Sequence, residues 1–188
     1  YQSAAELRSA GCTVRELKEG GFPAKELKKG GYTAEDLLAG GFLVKDLKDG
    51  GFTPAELKAA DVAAYALRKA GYPVRALLKE FNAGELKEVG YSAKELHAGG
   101  QGFTAADLKA VGFTAKHLFQ AGKSAKDLSA AGFTLIELKN ADVKAKDLRS
   151  VGFTASQLEQ YGFGASELRI GGYTAKEVSL ALVNQLAP

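Results

Sequence analysis

Four kinds of residue in this chain could do chemistry: a regular series of carboxylates, the histidines His97 and His117, the lone Cys12, and the glycine pairs Gly20-Gly21, Gly30-Gly31, Gly40-Gly41 and Gly50-Gly51. Paired carboxylates can share general acid and base work, histidine and cysteine can ligate a metal or attack a substrate, and glycine-rich loops can cradle phosphate. The spacing argues against each. Glu16, Glu26, Asp36, Asp46 and Glu56 recur every ten residues in like surroundings, so no pair is set apart as a site. His97 and His117 fall at unlike places in the pattern, whereas a transition-metal site needs three or four converging ligands. A single cysteine excludes an internal disulfide, and Cys12 stands where other stretches carry Phe or Tyr, so a buried structural thiol is expected. The glycine pairs lack the Lys-Ser or Lys-Thr of a phosphate loop and lie at the C-terminal ends of expected helices, the wrong end for an anion. No catalytic residue, cofactor, metal ligand or small-molecule substrate is therefore expected, and the chain reads as a non-enzyme.

The carboxylates have a structural use. In Gly51-Phe52-Thr53-Pro54-Ala55-Glu56-Leu57-Lys58-Ala59-Ala60, Thr53 can accept from the Glu56 amide as an N-cap while Glu56 reaches back to the Thr53 amide. Pro54 suits the first helical position, and Phe52 with Leu57 has the spacing of a hydrophobic staple. A glycine usually follows, where a left-handed residue ends a helix. The threonines Thr104, Thr114, Thr134, Thr154 and Thr174 could form an ice-binding ladder, but capping explains them with fewer assumptions.

Close copies of this decapeptide run along the chain, which predicts a repeat array. Residues 1–80 hold eight units in strict register, residues 81–101 hold two irregular ones, residues 102–181 hold eight more, and 182–188 form a capping extension of one continuous solenoid. Numbering each unit from its leading glycine, position seven is Leu in all eighteen but the last, where Val178 replaces it, and position two is aromatic in thirteen. These face inward with position four. Positions five and eight, rich in Lys and Arg, are placed on the outer face, so Lys58→Ala is expected to be nearly neutral. Each helix has about seven residues, too few to be stable alone, so stacking must hold it. The fold class expected is all-α: a solenoid of about eighteen one-helix repeats, with four helices to a superhelical turn. The break between Glu80 and Gly102 predicts a joint in the array.

The tandem capped helices resemble the α-helical solenoids as a class, which includes the tetratricopeptide and armadillo proteins, although the period is far shorter. Phe or Tyr at position two and Leu at position seven are five apart, which also resembles the pentapeptide-repeat β-helix. That family needs a small residue two places before each central one. Here Arg15, Lys25, Glu35, Lys45, Arg75, Lys94, Lys116 and Lys146 hold the site before Leu, and long charged side chains cannot enter that interior.

Lys and Arg number 25 against 22 Asp and Glu, a net charge of +3 that gives no strong pull toward nucleic acid. No run of 18 apolar residues marks a spanning helix, no basic region with an apolar core marks a targeting segment, and Tyr1 suggests a processed product or an excerpt. At position eight, the fourth, eighth and twelfth units carry Leu38, Leu78 and Phe119 in place of a cation, and Tyr161 ends the sixteenth. With four helices per turn these would line up as a docking strip for a protein; otherwise they are scattered exposed apolar residues. The function expected is a scaffold or linker that binds a protein and bridges subunits of an assembly. The alternative is nucleic-acid or anionic-surface binding through Lys18, Lys28, Lys48, Lys58 and Arg68, against which the interleaved acids argue.

Overall fold

The computed structural model describes residues 3–97 and 102–183, and within these every regular element is a helix. The helices group into two compact units, Tyr1–Gly90 and Tyr91–Pro188. The first carries α1 (Ala4–Ser9), α2 (Val14–Glu19), α3 (Ala24–Lys29), α4 (Ala34–Ala39), α5 (Val44–Asp49), α6 (Pro54–Ala59), α7 (Ala64–Lys69), α8 (Val74–Leu77) and α9 (Ala83–Glu88). The second carries α10 (Ala93–His97), α11 (Ala105–Ala110), α12 (Ala115–Gln120), α13 (Ala125–Ala130), α14 (Leu135–Asn140), α15 (Ala145–Val151), α16 (Ala155–Gln160), α17 (Ala165–Ile170) and α18 (Ala175–Val183). The repeat is thus one short helix per ten residues, as the capping pattern predicts. The extension expected at 182–188 begins within α18, and residues 184–188 lie outside the described residues.

Each helix is started and stopped locally. At α6 the Glu56 amide donates to the Thr53 hydroxyl at 3.2 Å and the Thr53 amide donates to Glu56 at 2.7 Å, which closes the capping box. Between α5 and α6 the Gly51 amide donates to the Lys48 carbonyl and the Phe52 amide to the Leu47 carbonyl, so a Schellman turn closes around the left-handed Gly51 (φ 84°). Where the ninth unit lacks its leading glycine, α8 shortens to four residues and the Phe81 amide turns back onto the Leu77 carbonyl. The expected joint at 81–101 therefore includes a well-formed α9, capped by Asn82; residues 98–101 lie outside the described residues.

Stacking departs from expectation. In the first unit α1 packs on α3, α2 on α4, α3 on α5, α4 on α6 and α7 on α9. In the second, α10 packs on α12, α11 on α13, α12 on α14, α13 on α15, α15 on α17 and α16 on α18. Every second helix stacks, so the four-helix turn is replaced by a two-helix turn of about twenty residues. Small residues allow the approach: a Cβ on Gly50 would lie 2.9 Å from the Ala24 Cβ, and one on Gly30 would lie 2.7 Å from the Ala4 Cβ. Position ten of one helix thus rests on position four of the helix two units earlier. Within each unit the position-seven leucines, such as Leu27, Leu57, Leu108 and Leu138, are wholly buried between the stacks. Cys12, expected to be buried, is only half-buried.

Two predictions follow from this packing. Leu57→Ala should cost about 2–5 kcal/mol in a urea titration, since it empties a fully enclosed leucine site; a cost no greater than a surface change would contradict the packing. Acid should unfold the protein through its capping boxes. The Thr amides and hydroxyls that donate to Glu16, Glu137 and Glu177 hold these carboxyls below their usual range, and the hydroxyls and amides of Thr104 and Ser124 do the same for Asp107 and Asp127. A folded value below the unfolded one gives stability that is present above the unfolded pKa, about 4, and is lost as pH falls through the folded values. Stability should be level from neutral pH to about 5 and fall below about 4; a profile flat through that range would contradict it.

Candidate functional site

The cations at position eight, placed on the outer face by the helical pattern, are engaged along the stacks. Lys28 Nζ donates to the Gly51 carbonyl at 2.8 Å and lies 4.4 Å from the centre of the Phe52 ring. Lys48 donates to the Gly71 carbonyl at 2.8 Å and lies 5.8 Å from the Tyr72 ring centre. Lys109 donates to Gly132 at 2.6 Å over the Phe133 ring. Arg8, Lys18, Lys58, Lys139 and Arg149 do likewise toward Gly31, Gly41, Glu80, Gly162 and Gly172, each over the aromatic residue that follows. Each cation leaves the last turn of one helix and closes on the C-terminal carbonyls of the helix stacked above it, where the helix dipole is negative. This clasp joins a cation, a ring and the carbonyl of a left-handed glycine across two units, with Glu80 in place of the glycine at Lys58. Lys28 also pairs with Glu56 at 2.8 Å, which offsets the burial of that carboxyl and helps hold its pKa below the usual value.

Tyrosines at position two tie the same levels from the other side. Tyr72 Oη donates to the Phe52 carbonyl at 2.6 Å, and burial, then the Glu56 and Asp49 charges, push its phenol up to about 12. Tyr173 makes the equivalent bond to Phe153, and Lys123, buried at position two, donates to the Phe103 carbonyl at 2.7 Å.

The clasp accounts for two of the four residues expected to dock a partner. Leu38 and Phe119 are half-buried in the slot of the clasp cation, and the residues to which a cation there would point are Asp61-Val62 and Asp142-Val143. At the other clasps that pair is a glycine and an aromatic, except Glu80-Phe81 at Lys58. Asp61 (φ 57°) and Asp142 (φ 62°) are the two residues other than glycine in the left-handed region among the described residues. The three changes fit one another. A Cβ on Gly71 would lie 3.0 Å from Lys48 Nζ, and one on Gly172 would lie 2.7 Å from the Arg149 guanidinium, so the cation favours glycine beside it. Without the cation a Cβ is admitted, and without a cation to stack on, the ring gives way to a buried valine. The covarying triplets were present in the sequence, but finding them required pairing positions 23 residues apart, the span of the Lys18 to Gly41 bond. Leu78 is half-buried at the C-cap of α8, and Tyr161, at the C-cap of α16, is exposed. Within each unit an intervening helix separates the candidates, since α4 and α12 pack on α6 and α14.

His117 keeps the capping role of the acid it replaces, its Nδ1 accepting from the Thr114 amide, with the ring edge-on to Phe113. Gln157 does the same for Thr154. His97 fills a clasp slot and comes beside Gly122. Among the described residues no three His, Cys, Asp or Glu side chains gather as a metal would require. The grooves are products of the repeat. One of 430 Å³ is lined by Lys28, Tyr32, Glu35, Phe52 and Glu56, and one of 380 Å³ by the equivalent Lys139, Val143, Lys146, Phe163 and Glu167. Their linings differ: Tyr32, Glu35 and Ala59 in the first are Val143, Lys146 and Ile170 in the second. Sequence reasoning missed Ile170 and Leu180, which interrupt a position nine that is otherwise polar or Ala wherever it is described.

A family model described as a decapeptide repeat region matches residues 1–64, 80–143 and 112–184. No curated protein and no solved structure matches the chain. The matched segments cover most of its length, and the chain belongs to the decapeptide repeat family.

The clasp overturns the expectation that Lys58→Ala is nearly neutral. It removes a carbonyl bond and a ring contact, and should cost about 1 kcal/mol, because an exposed cation over a ring contributes about 0.5–1 and the charge-assisted bond adds to it. Lys45→Ala, at exposed position five, should stay within about 0.5 kcal/mol. Urea titrations of both decide; equal small effects would show that the clasp contributes no stability.

Proposed function

We propose that this repeat protein is a non-enzymatic scaffold that binds a protein through apolar side chains carried outside the repeat's own packing. The observation that supports this reading is Ile170, which is 81% exposed, forms one wall of the 380 Å³ groove, and occupies a position that is polar or Ala in the first sixteen units wherever it is described. Leu180 repeats the substitution one unit later and is also exposed. Stacking does not use these side chains, so their retention in water is accounted for by a partner that covers them. Of the residues singled out from the sequence, Tyr161 shares this exposure, whereas Leu38, Leu78 and Phe119 are half-buried. The clasp weakens the nucleic-acid alternative, since it directs the position-eight cations to carbonyls and rings of the fold itself.

The reading is tested by capture of binding proteins from the native source, with the wild-type chain beside Ile170→Ser and Leu180→Ser. A specific protein should be retained by the wild type at high salt and lost with both variants. Retention that ignores both substitutions, or that vanishes with salt as phosphate contacts do, would overturn it.

A further inference from the structure

The 380 Å³ groove between α15 and α17 departs from its equivalent between α4 and α6 at three exposed places: Thr33, Glu35 and Ala59 become Lys144, Lys146 and Ile170. Lys144 is the one cation at position three in the eighteen units. It makes no N-cap hydrogen bond, and neither it nor Lys146 has a hydrogen-bonding or ionic partner among the described residues. Of the two carboxylates on the lining, Glu167 accepts from the Gly164 amide at 2.8 Å and Asp142 is exposed. Lys139 is held by the Gly162 carbonyl. The uncommitted charges are thus two cations against one acid, beside Ile170 and over the buried Val143 and Phe163. The exposure of Ile170 does not come from its place in the array. Lys29, Ala39 and Ser150 hold the same position on helices with a later helix stacked on them, and they are exposed too.

We propose that this groove takes an acidic segment of another protein, with an apolar side chain packed on Ile170 and a carboxylate set between Lys144 and Lys146. The inference rests on the scaffold reading and adds the chemistry of the bound segment. Charge complementarity selects that chemistry. Lys144 gives up the N-cap bond that Thr and Ser make in other units and gains no contact within the fold, so its charge serves something outside it. Lys146 reverses the charge that Glu35 brings to the equivalent groove. Two cations beside an apolar wall attract and orient a carboxylate next to a side chain that the wall covers. A nucleic-acid backbone fits less well, because it needs an extended positive row and here Asp142 interrupts it.

The probe is a displayed library of short random peptides, selected on the purified chain. Peptides whose binding is lost with Ile170→Ser should carry Asp or Glu close to an aliphatic or aromatic residue, well above the library frequency. A synthetic copy of such a peptide should bind a Lys144→Thr, Lys146→Ala double variant about fivefold more weakly, as the loss of two exposed ion pairs predicts. Other units carry these residues at the same positions, as at Thr134 and Ala106, so the fold is kept, and circular dichroism checks it. Peptides that need Ile170 but show no excess of acid, or that bind the double variant unchanged, would overturn the proposal and leave the scaffold reading standing. Displacement of the peptide by single-stranded DNA would assign the lysines to phosphate and overturn it. A selection that yields no peptide dependent on Ile170 would overturn it as well, while protein capture with the Ile170 and Leu180 variants decides the scaffold reading separately.

Discussion

The close approach of helices two units apart is the constraint from which the rest of the repeat follows. Position ten is Gly or Ala in most units, and at Gly30 and Gly50 a Cβ would press on Ala4 and Ala24; Glu80, Val89, Val111, Val151 and Tyr161 are larger. Position four is mostly Ala, with Val14 beneath Gly40 and a buried Leu135 among the larger residues. Six-residue helices are too short to hold themselves, so nearly all their stability comes from this stacking and from the leucine row it encloses. The clasp then completes what stacking leaves undone. A helix that ends after six residues exposes carbonyls at its negative end, and the cation from the helix beneath satisfies one of them while its stem covers a ring.

Much of this was legible in the sequence, and the division between what was and what was not has a physical cause. Capping boxes, the Schellman turn at Gly51 and the buried Leu57 depend on residues within one decapeptide, and a local pattern is enough to infer them. Which helix lies on which depends on the rotation accumulated over a whole turn, and no single unit encodes it. A four-helix turn and a two-helix turn are consistent with the same local pattern. The assignment of Lys58 to a free outer face failed for that reason: it sits outward on its own helix and becomes a contact only when the helix above is placed. Leu38 and Phe119 drew attention as departures, but the departures matching them, Asp61-Val62 and Asp142-Val143, were explained only once two-unit stacking joined the pairs.

That distinction bears on how function is sought in a repeat protein. A departure matched by a second departure across a contact belongs to the fold, since the pair preserves packing. A departure with no matching change is a better guide to something outside the chain. Leu38 and Phe119 are of the first kind, Ile170 and Leu180 of the second. The His117 and Gln157 substitutions also belong to the fold, without a matching change, because each still accepts the N-cap amide that a carboxylate accepts elsewhere.

Proton–proton contacts in solution test the two-unit stacking most directly. The Lys48 side chain should show nuclear Overhauser effects to the Tyr72 ring, and the Ala24 methyl to the Gly50 α-protons, as their positions in the stack require. If instead Lys48 contacts side chains of the adjacent unit only, or of a unit four helices away, the stacking described here is wrong and the clasp with it.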